Sequence, residues 1–289
     1  MTLQPADVCV CEGGKSLLPS HDKAKHFDEF TSRTGPFQFS LDDLTLNERG
    51  SLEDELTLAA RMQHTLLPDR AFSPEGWQVH YHYAPAGLFS GDYCDLFETE
   101  SGMLFFLGDV CGKGLAASIL MNQLHATFRS LAARDQSLDA MVEAANHSFC
   151  RNTLTGQFAT LIAGLARRDG SVEFVSGGHP ALLHLRTDAI RCEPATGIPL
   201  GLFDGARFPS RRFSLGPGET LLLYTDGLTE TQNLVGEEYG LERLRKVAAT
   251  HSLAAPSELI SGCLSDVSEF AAGTKQKDDL TLVAIQRTP

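Results

Sequence analysis

The order of apolar segments along the chain constrains the fold most. Residues 77–84, 92–97 and 102–108 read as strands, short runs with apolar and β-branched or aromatic content bounded by turn formers. Two helical segments follow, 114–134, apolar on most sides, and 137–152. Strands at 158–166, 172–175, 182–185 and 219–224 come next. Helices at 237–250 and 256–272 and a terminal strand at 280–286 complete the chain. Strict β-α-β alternation is absent, which argues against a doubly wound parallel sheet. Mostly antiparallel strands covered by helix pairs fit the order better. The expected class is α+β, a four-layer α-β-β-α sandwich with two sheets between helix pairs.

Residues 1–50 have a different texture, rich in charge and turn formers with isolated aromatics, and read as a poorly ordered arm. Residues 51–68 read as a linker helix. Ser51 and Asp54 resemble a capping box, Leu52, Leu56, Ala59, Met62 and Leu66 form one apolar stripe, and Pro68 ends the segment. Such a stripe packs on its own domain or on a second copy, so a homodimer through residues 51–67 is one expectation. Residues 69–289 form the main domain.

The 289 residues carry a formal net charge of −13, which disfavours nucleic acid and anionic membrane as partners. No stretch reaches the roughly 18 apolar residues of a membrane span. The first residues lack a basic segment followed by an apolar run, so the reading is cytoplasmic. The seven cysteines have no paired spacing that suggests a disulfide framework or a zinc site.

Four places put Asp beside a strand end: Gly91-Asp92-Tyr93-Cys94-Asp95, Gly108-Asp109-Val110-Cys111-Gly112-Lys113, Tyr224-Thr225-Asp226-Gly227 and Lys277-Asp278-Asp279-Leu280. Each alone is a turn signal. Together they could form one cluster at a sheet edge, where like charges repel unless cations neutralise them or some carboxyls stay protonated. Oxygen-only donors select hard cations such as Mg²⁺ or Mn²⁺. Two such ions about 4 Å apart bind a phosphoryl group and acidify a water. Gly108 and Gly112 would let the backbone approach closely, with the Val110 carbonyl as a further donor. Lys113 is a candidate for touching a substrate phosphate or a protein partner. His179, in a tight turn, reads as a residue bonded to nearby backbone.

Two rivals fail on spacing. From Gly108 to Lys113 there are three residues between the glycines where a P-loop needs four, and Gly114 stands where Ser or Thr belongs. No cysteine has Arg six positions on, as a cysteine phosphatase would require.

Eight short motifs in order resemble PPM-type (protein phosphatase 2C-like) phosphatases, in the SpoIIE/RsbU-like branch. Besides the four Asp sites they are Leu66-Leu67-Pro68, Phe158-Ala159-Thr160-Leu161, Gly177-Gly178-His179-Pro180 and Pro199-Leu200-Gly201. The resemblance implies a metal-dependent serine/threonine protein phosphatase with two Mn²⁺ or Mg²⁺ ions. It implies Asp92, Asp109, the Val110 carbonyl, Asp226 and Asp278 as metal ligands, with Asp92, Asp109 and Asp226 catalytic. Asp95 and Asp279 match acidic positions of secondary role. The substrate it implies is a phosphorylated STAS-domain anti-sigma-factor antagonist in a partner-switching pathway. Lys113 departs from the His frequent in the family, and Cys94 from an aromatic. A different class, a metal-poor module that binds a phosphoprotein without turnover, is the alternative.

Overall fold

The computed structural model describes residues 45–70, 72–134 and 136–288. The expected arm lies outside them, apart from its last few residues. The chain divides into two units, Met1–Asp54 and Glu55–Pro289. The described part of the first unit is the start of helix α1 (Leu46–His64), whose remainder belongs to the second.

The second unit holds two five-stranded sheets. Sheet A has the order β1 (Trp77–Ala84), β10 (Leu280–Arg287), β9 (Thr220–Tyr224), β6 (Leu182–Leu185), β7 (Ile190–Glu193). Sheet B has the order β2 (Asp92–Thr99), β3 (Gly102–Val110), β4 (Ala159–Ala166), β5 (Ser171–Gly177), β8 (Arg211–Ser214). Every pairing between these strands is antiparallel.

Three apolar clusters define four layers. One packs α2 (Gly114–Ala132) and α3 (Leu138–Asn152) on sheet B; a second fills the space between the sheets; the third packs α5 (Leu241–Thr250) and α6 (Pro256–Ala271) on sheet A. Strand β3 shows why its apolar run is continuous. Leu104 and Phe106 face the helices while Met103, Phe105 and Leu107 face the other sheet, so both faces of the strand are buried. The expected α-β-β-α sandwich is the observed fold.

Three local expectations change. Helix α1 starts at Leu46, not Ser51: Glu48 Oε2 accepts the Thr45 N–H at 2.8 Å and Thr45 Oγ1 accepts the Glu48 N–H at 3.4 Å, so Thr45–Glu48 is the capping box. The helix expected from residue 237 starts at Leu241, because Glu238 pairs back with Gln232 and Gly240 turns the chain at φ +78°. Strands β7 and β8 were not evident in the sequence. Each has four residues at a sheet edge, with partly exposed polar side chains and no apolar alternation to mark them. Among the described residues no helix is long and apolar enough to cross a membrane.

Candidate metal centre

The four Asp segments meet at one edge of the sandwich. Asp92 opens β2 and is directly opposite Asp109 near the end of β3. Across the gap between sheets, Asp226 opens the short helix α4 (Asp226–Thr229) after β9, and Asp278 and Asp279 precede β10. The antiparallel pairing of β9 with β10 puts these last two segments side by side.

Hydrogen bonds join the two halves. Asp92 Oδ2 accepts from Thr225 Oγ1 at 3.0 Å and from Thr281 Oγ1 at 2.6 Å. Asp279 accepts the Gly91 N–H on Oδ2 at 2.8 Å and the Ala86 N–H on Oδ1 at 2.7 Å. His179, buried, links Thr160 of sheet B through Nδ1 (2.7 Å) to the Tyr224 carbonyl of sheet A through Nε2 (3.1 Å). That ring bridges the sheets through distant partners rather than the nearby turn backbone expected from sequence, and burial pushes its pKa down to about 3.

Close backbone approach explains two glycines. A Cβ on Gly91 would lie 3.0 Å from the Val110 carbonyl oxygen and 3.6 Å from Asp109 Oδ1. A Cβ on Gly227 would collide with the Asp279 carbonyl, so only glycine lets Asp226 sit against this strand.

The electrostatics follow from crowding. Burial, then the neighbouring Asp109, push the Asp92 carboxyl well above the usual carboxylate range. Asp109 is raised to about 8, first by burial and then by Asp226, Asp278 and Asp279. Asp226 is raised by burial and by Asp278. Without a cation these carboxyls resist ionising together.

The donor set fits hard divalent cations: several carboxylates around one edge, with a backbone carbonyl beside them. The side chains are not closed on an ion as they stand. Among the described residues no three His, Cys, Asp or Glu side chains gather tightly enough to hold one. Asp278 Oδ2 is held by Lys113 Nζ at 2.6 Å, and Lys113 also reaches the Lys277 carbonyl at 2.7 Å. Lys113, a candidate from sequence for touching a substrate phosphate or a protein partner, here pairs with an expected ligand. An open cavity of about 410 Å³ adjoins the cluster, with Lys113, Gly227, Glu230, Lys277 and Asp278 in its lining.

Asp95 stands apart. It faces the helix layer and accepts from Arg129 Nε at 2.7 Å and Nη2 at 2.6 Å. Asp279 is committed to two backbone amides. Neither is placed as Asp278 is, partly exposed in the lining of the cavity. Cys94 is buried between the sheets and Cys111 Sγ accepts the Phe158 N–H at 3.2 Å; burial raises both thiols, against a thiolate role.

Sequence reasoning missed Thr225, Thr281 and Gln63. The threonines flank the Asp motifs and carry no signal of their own. Gln63 sits on the buried face of α1 and exchanges two hydrogen bonds with the Ser90 backbone, at 2.8 and 3.1 Å. A polar residue on an apolar helix face was the available clue.

A family model described as Stage II sporulation protein E (SpoIIE) matches residues 99–288. The chain belongs to the SpoIIE family. This SpoIIE-type domain is 25% identical over 263 residues to Protein IcfG of Synechocystis sp., covering 81% of the chain and 41% of IcfG. It is 24% identical over 241 residues to Phosphoserine phosphatase RsbU of Bacillus subtilis, covering 82% of the chain and 71% of RsbU. The chain thus spans about two-fifths of the first relative's length. The SiaA-PP2C domain of Pseudomonas aeruginosa has the same fold, with TM-score 0.73, 19% identity, and coverage of 85% of this chain and 100% of that one. The catalytic domain of serine/threonine protein phosphatase PstP, solved with two manganese ions, shares the fold at TM-score 0.53 and 16% identity, covering 74% and 99%. The SpoIIE/RsbU-like membership that the motifs implied is met.

Proposed function

We propose that the chain is a divalent-metal-dependent phosphatase that hydrolyses phosphoserine or phosphothreonine on a protein. The single observation that carries this is the convergence of Asp92, Asp109, Asp226 and Asp278, far apart in sequence, on one edge between the sheets. Family membership and the named activity of RsbU support it.

Asp92, Asp109, the Val110 carbonyl, Asp226 and Asp278 would hold two Mn²⁺ or Mg²⁺ ions. Bound ions of this kind supply phosphoryl polarisation and an acidified water. The chain supplies the rest. Asp109 and Asp226 compensate positive charge within a buried edge. Lys113, once free of Asp278, is a mobile cation at the mouth of the cavity, suited to a phosphoryl oxygen or to an acidic partner surface.

The substrate in this reading is a phosphorylated STAS-domain anti-sigma-factor antagonist, within a cytoplasmic partner-switching pathway. The test is Mn²⁺-dependent phosphate release from an aryl phosphate and from a phosphorylated STAS protein, wild type against Asp109→Asn. Metal-dependent release lost in the variant supports the reading; equal rates, or no metal dependence, contradict it.

The engagement of Asp92 and Asp278 in hydrogen bonds favours a second reading, a metal-poor module that holds a phosphoprotein without turnover. Absence of Mn²⁺ binding at millimolar metal, alone or with the phosphoprotein, would select it.

A homodimer through residues 51–67 is also part of the proposal. Ala60 and Gln63 of α1 are buried, whereas Leu58 and Met62 are 59% and 63% exposed, leaving apolar side chains for a second copy. Light scattering on the Leu58→Ser, Met62→Ser chain tests this; an unchanged mass removes that helix as the seam.

A further inference from the structure

The buried contact between the sheets at Asp92 has a one-sided pattern. Both hydroxyls that reach this carboxylate, Thr225 Oγ1 and Thr281 Oγ1, donate to the same oxygen, Oδ2. Among the described residues nothing donates to Oδ1. The 2.6 Å bond from Thr281 has the short length of a hydroxyl donating to a carboxylate. Thr225 Oγ1 accepts the Thr281 N–H at 2.9 Å, and of the two acceptors in reach of its one proton Asp92 Oδ2 at 3.0 Å is nearer than the Asp279 carbonyl at 3.5 Å. Thr225, Thr281 and Asp92 are all buried, so water does not compete. The two threonines come from the ends of β9 and β10 in sheet A, one residue before Asp226 and two after Asp279, whereas Asp92 belongs to sheet B.

We infer that Thr225 and Thr281 are positioning residues of the metal centre: they fix Asp92 Oδ2 and leave Oδ1 as the oxygen offered to an ion. The inference rests on the metal-dependent reading above. A carboxylate tied at one oxygen cannot rotate about its Cβ–Cγ bond, so its ligating oxygen is set before an ion arrives. The same bonds lock Asp92 of one sheet to the strands that deliver Asp226 and Asp278 on the other. The donors thus hold a shared frame across the gap, which neither sheet provides alone.

A role of the threonines in packing alone makes a different prediction. Thr→Val keeps the shape and removes the donor; Thr→Ser keeps the donor and removes a methyl from a buried site. A positioning role ranks Ser above Val for metal binding. A packing role ranks Val above Ser.

The experiment is calorimetric titration of Mn²⁺ into the metal-stripped full chain, for wild type, Thr281→Val and Thr281→Ser, with melting of each metal-free protein as the folding control. Outer partners of metal ligands typically carry about 10–100-fold in affinity. Thr281→Val is expected to weaken Mn²⁺ binding at least about ten-fold, with Thr281→Ser staying within about three-fold of wild type. Thr225→Val and Thr225→Ser carry the same comparison if Thr281→Val does not fold. Wild-type affinity in the Val variants, or an equal loss in Ser and Val, overturns the inference while leaving the metal reading intact. Failure of wild type itself to bind Mn²⁺ overturns the metal reading and this inference with it.

Discussion

Asp92 and Asp95 lie three residues apart on one strand and meet opposite fates. Asp95 points at the helix layer and receives both forks of Arg129, whose guanidinium also stacks 4.0 Å from the Phe97 ring centre. The chain neutralises that charge itself. Asp92 points between the sheets, where its neighbours are Asp109 and Asp279, and among the described residues its side chain bonds to hydroxyls and to no cation. Two buried carboxylates on the same strand thus distinguish a structural ion pair from a site that calls for charge from outside. The difference comes from strand parity, since side chains three apart face opposite sides.

The comparison can be broken at either end. Asp109→Asn or Asp226→Asn removes a donor from the Asp92 side. Even supporting partners of metal ligands carry about 10–100-fold, so losing a ligand should reduce Mn²⁺-dependent phosphate release by at least about a hundred-fold. Steady-state phosphate assays check this.

On the other side, Arg129→Ala strands the buried Asp95. Breaking such a pair costs about 3 kcal/mol, the low end because Arg129 is 42% exposed. Urea unfolding should show that loss, while Mn²⁺ affinity stays within about three-fold of wild type. A large loss of metal affinity would mean the two faces are not separate.

His179 provides a pH test of the bridge between the sheets. Its folded pKa is depressed from 6.5 to about 3 by burial. The folded state therefore binds fewer protons than the unfolded chain between those values. The stability this group contributes is fully present above pH 6.5 and is lost as pH falls toward 3, by about 1.4 kcal/mol per unit. Melting temperature against pH should be flatter in this window for His179→Gln than for wild type.

The smallest expected effect is at Lys113. Its ion pair with Asp278 is partly exposed, and such pairs contribute about 0.2–1 kcal/mol. Lys113→Met should tighten Mn²⁺ binding by up to about five-fold. Unchanged affinity would show that Lys113 does not compete with the ion.

Much of the fold was legible because its strands have apolar side chains on both faces, as in β3, and its helices have clear apolar faces. Strands β7 and β8 were not, because four-residue edge strands with polar side chains carry no periodic signal. The start of α1 was misread because Asn47 and Gly50, poor helix formers, follow the true capping box, whereas Ser51 precedes a clean apolar stripe. At the site, the four Asp sites marked segments that meet at one edge, since each lies beside a strand end. The motifs could not show that Asp95 would find Arg129 thirty-four residues on, or that Lys113 would settle on Asp278. Those contacts depend on the layering of helices on the sheet and on the pairing of β9 with β10, which no local pattern encodes.

The most direct test of the central claim is Mn²⁺ titration of the metal-stripped full chain, wild type beside Asp109→Asn. Wild type is expected to bind two ions per chain, and the variant to lose at least about ten-fold in affinity. No binding at millimolar Mn²⁺, or binding unaffected by Asp109→Asn, would contradict it.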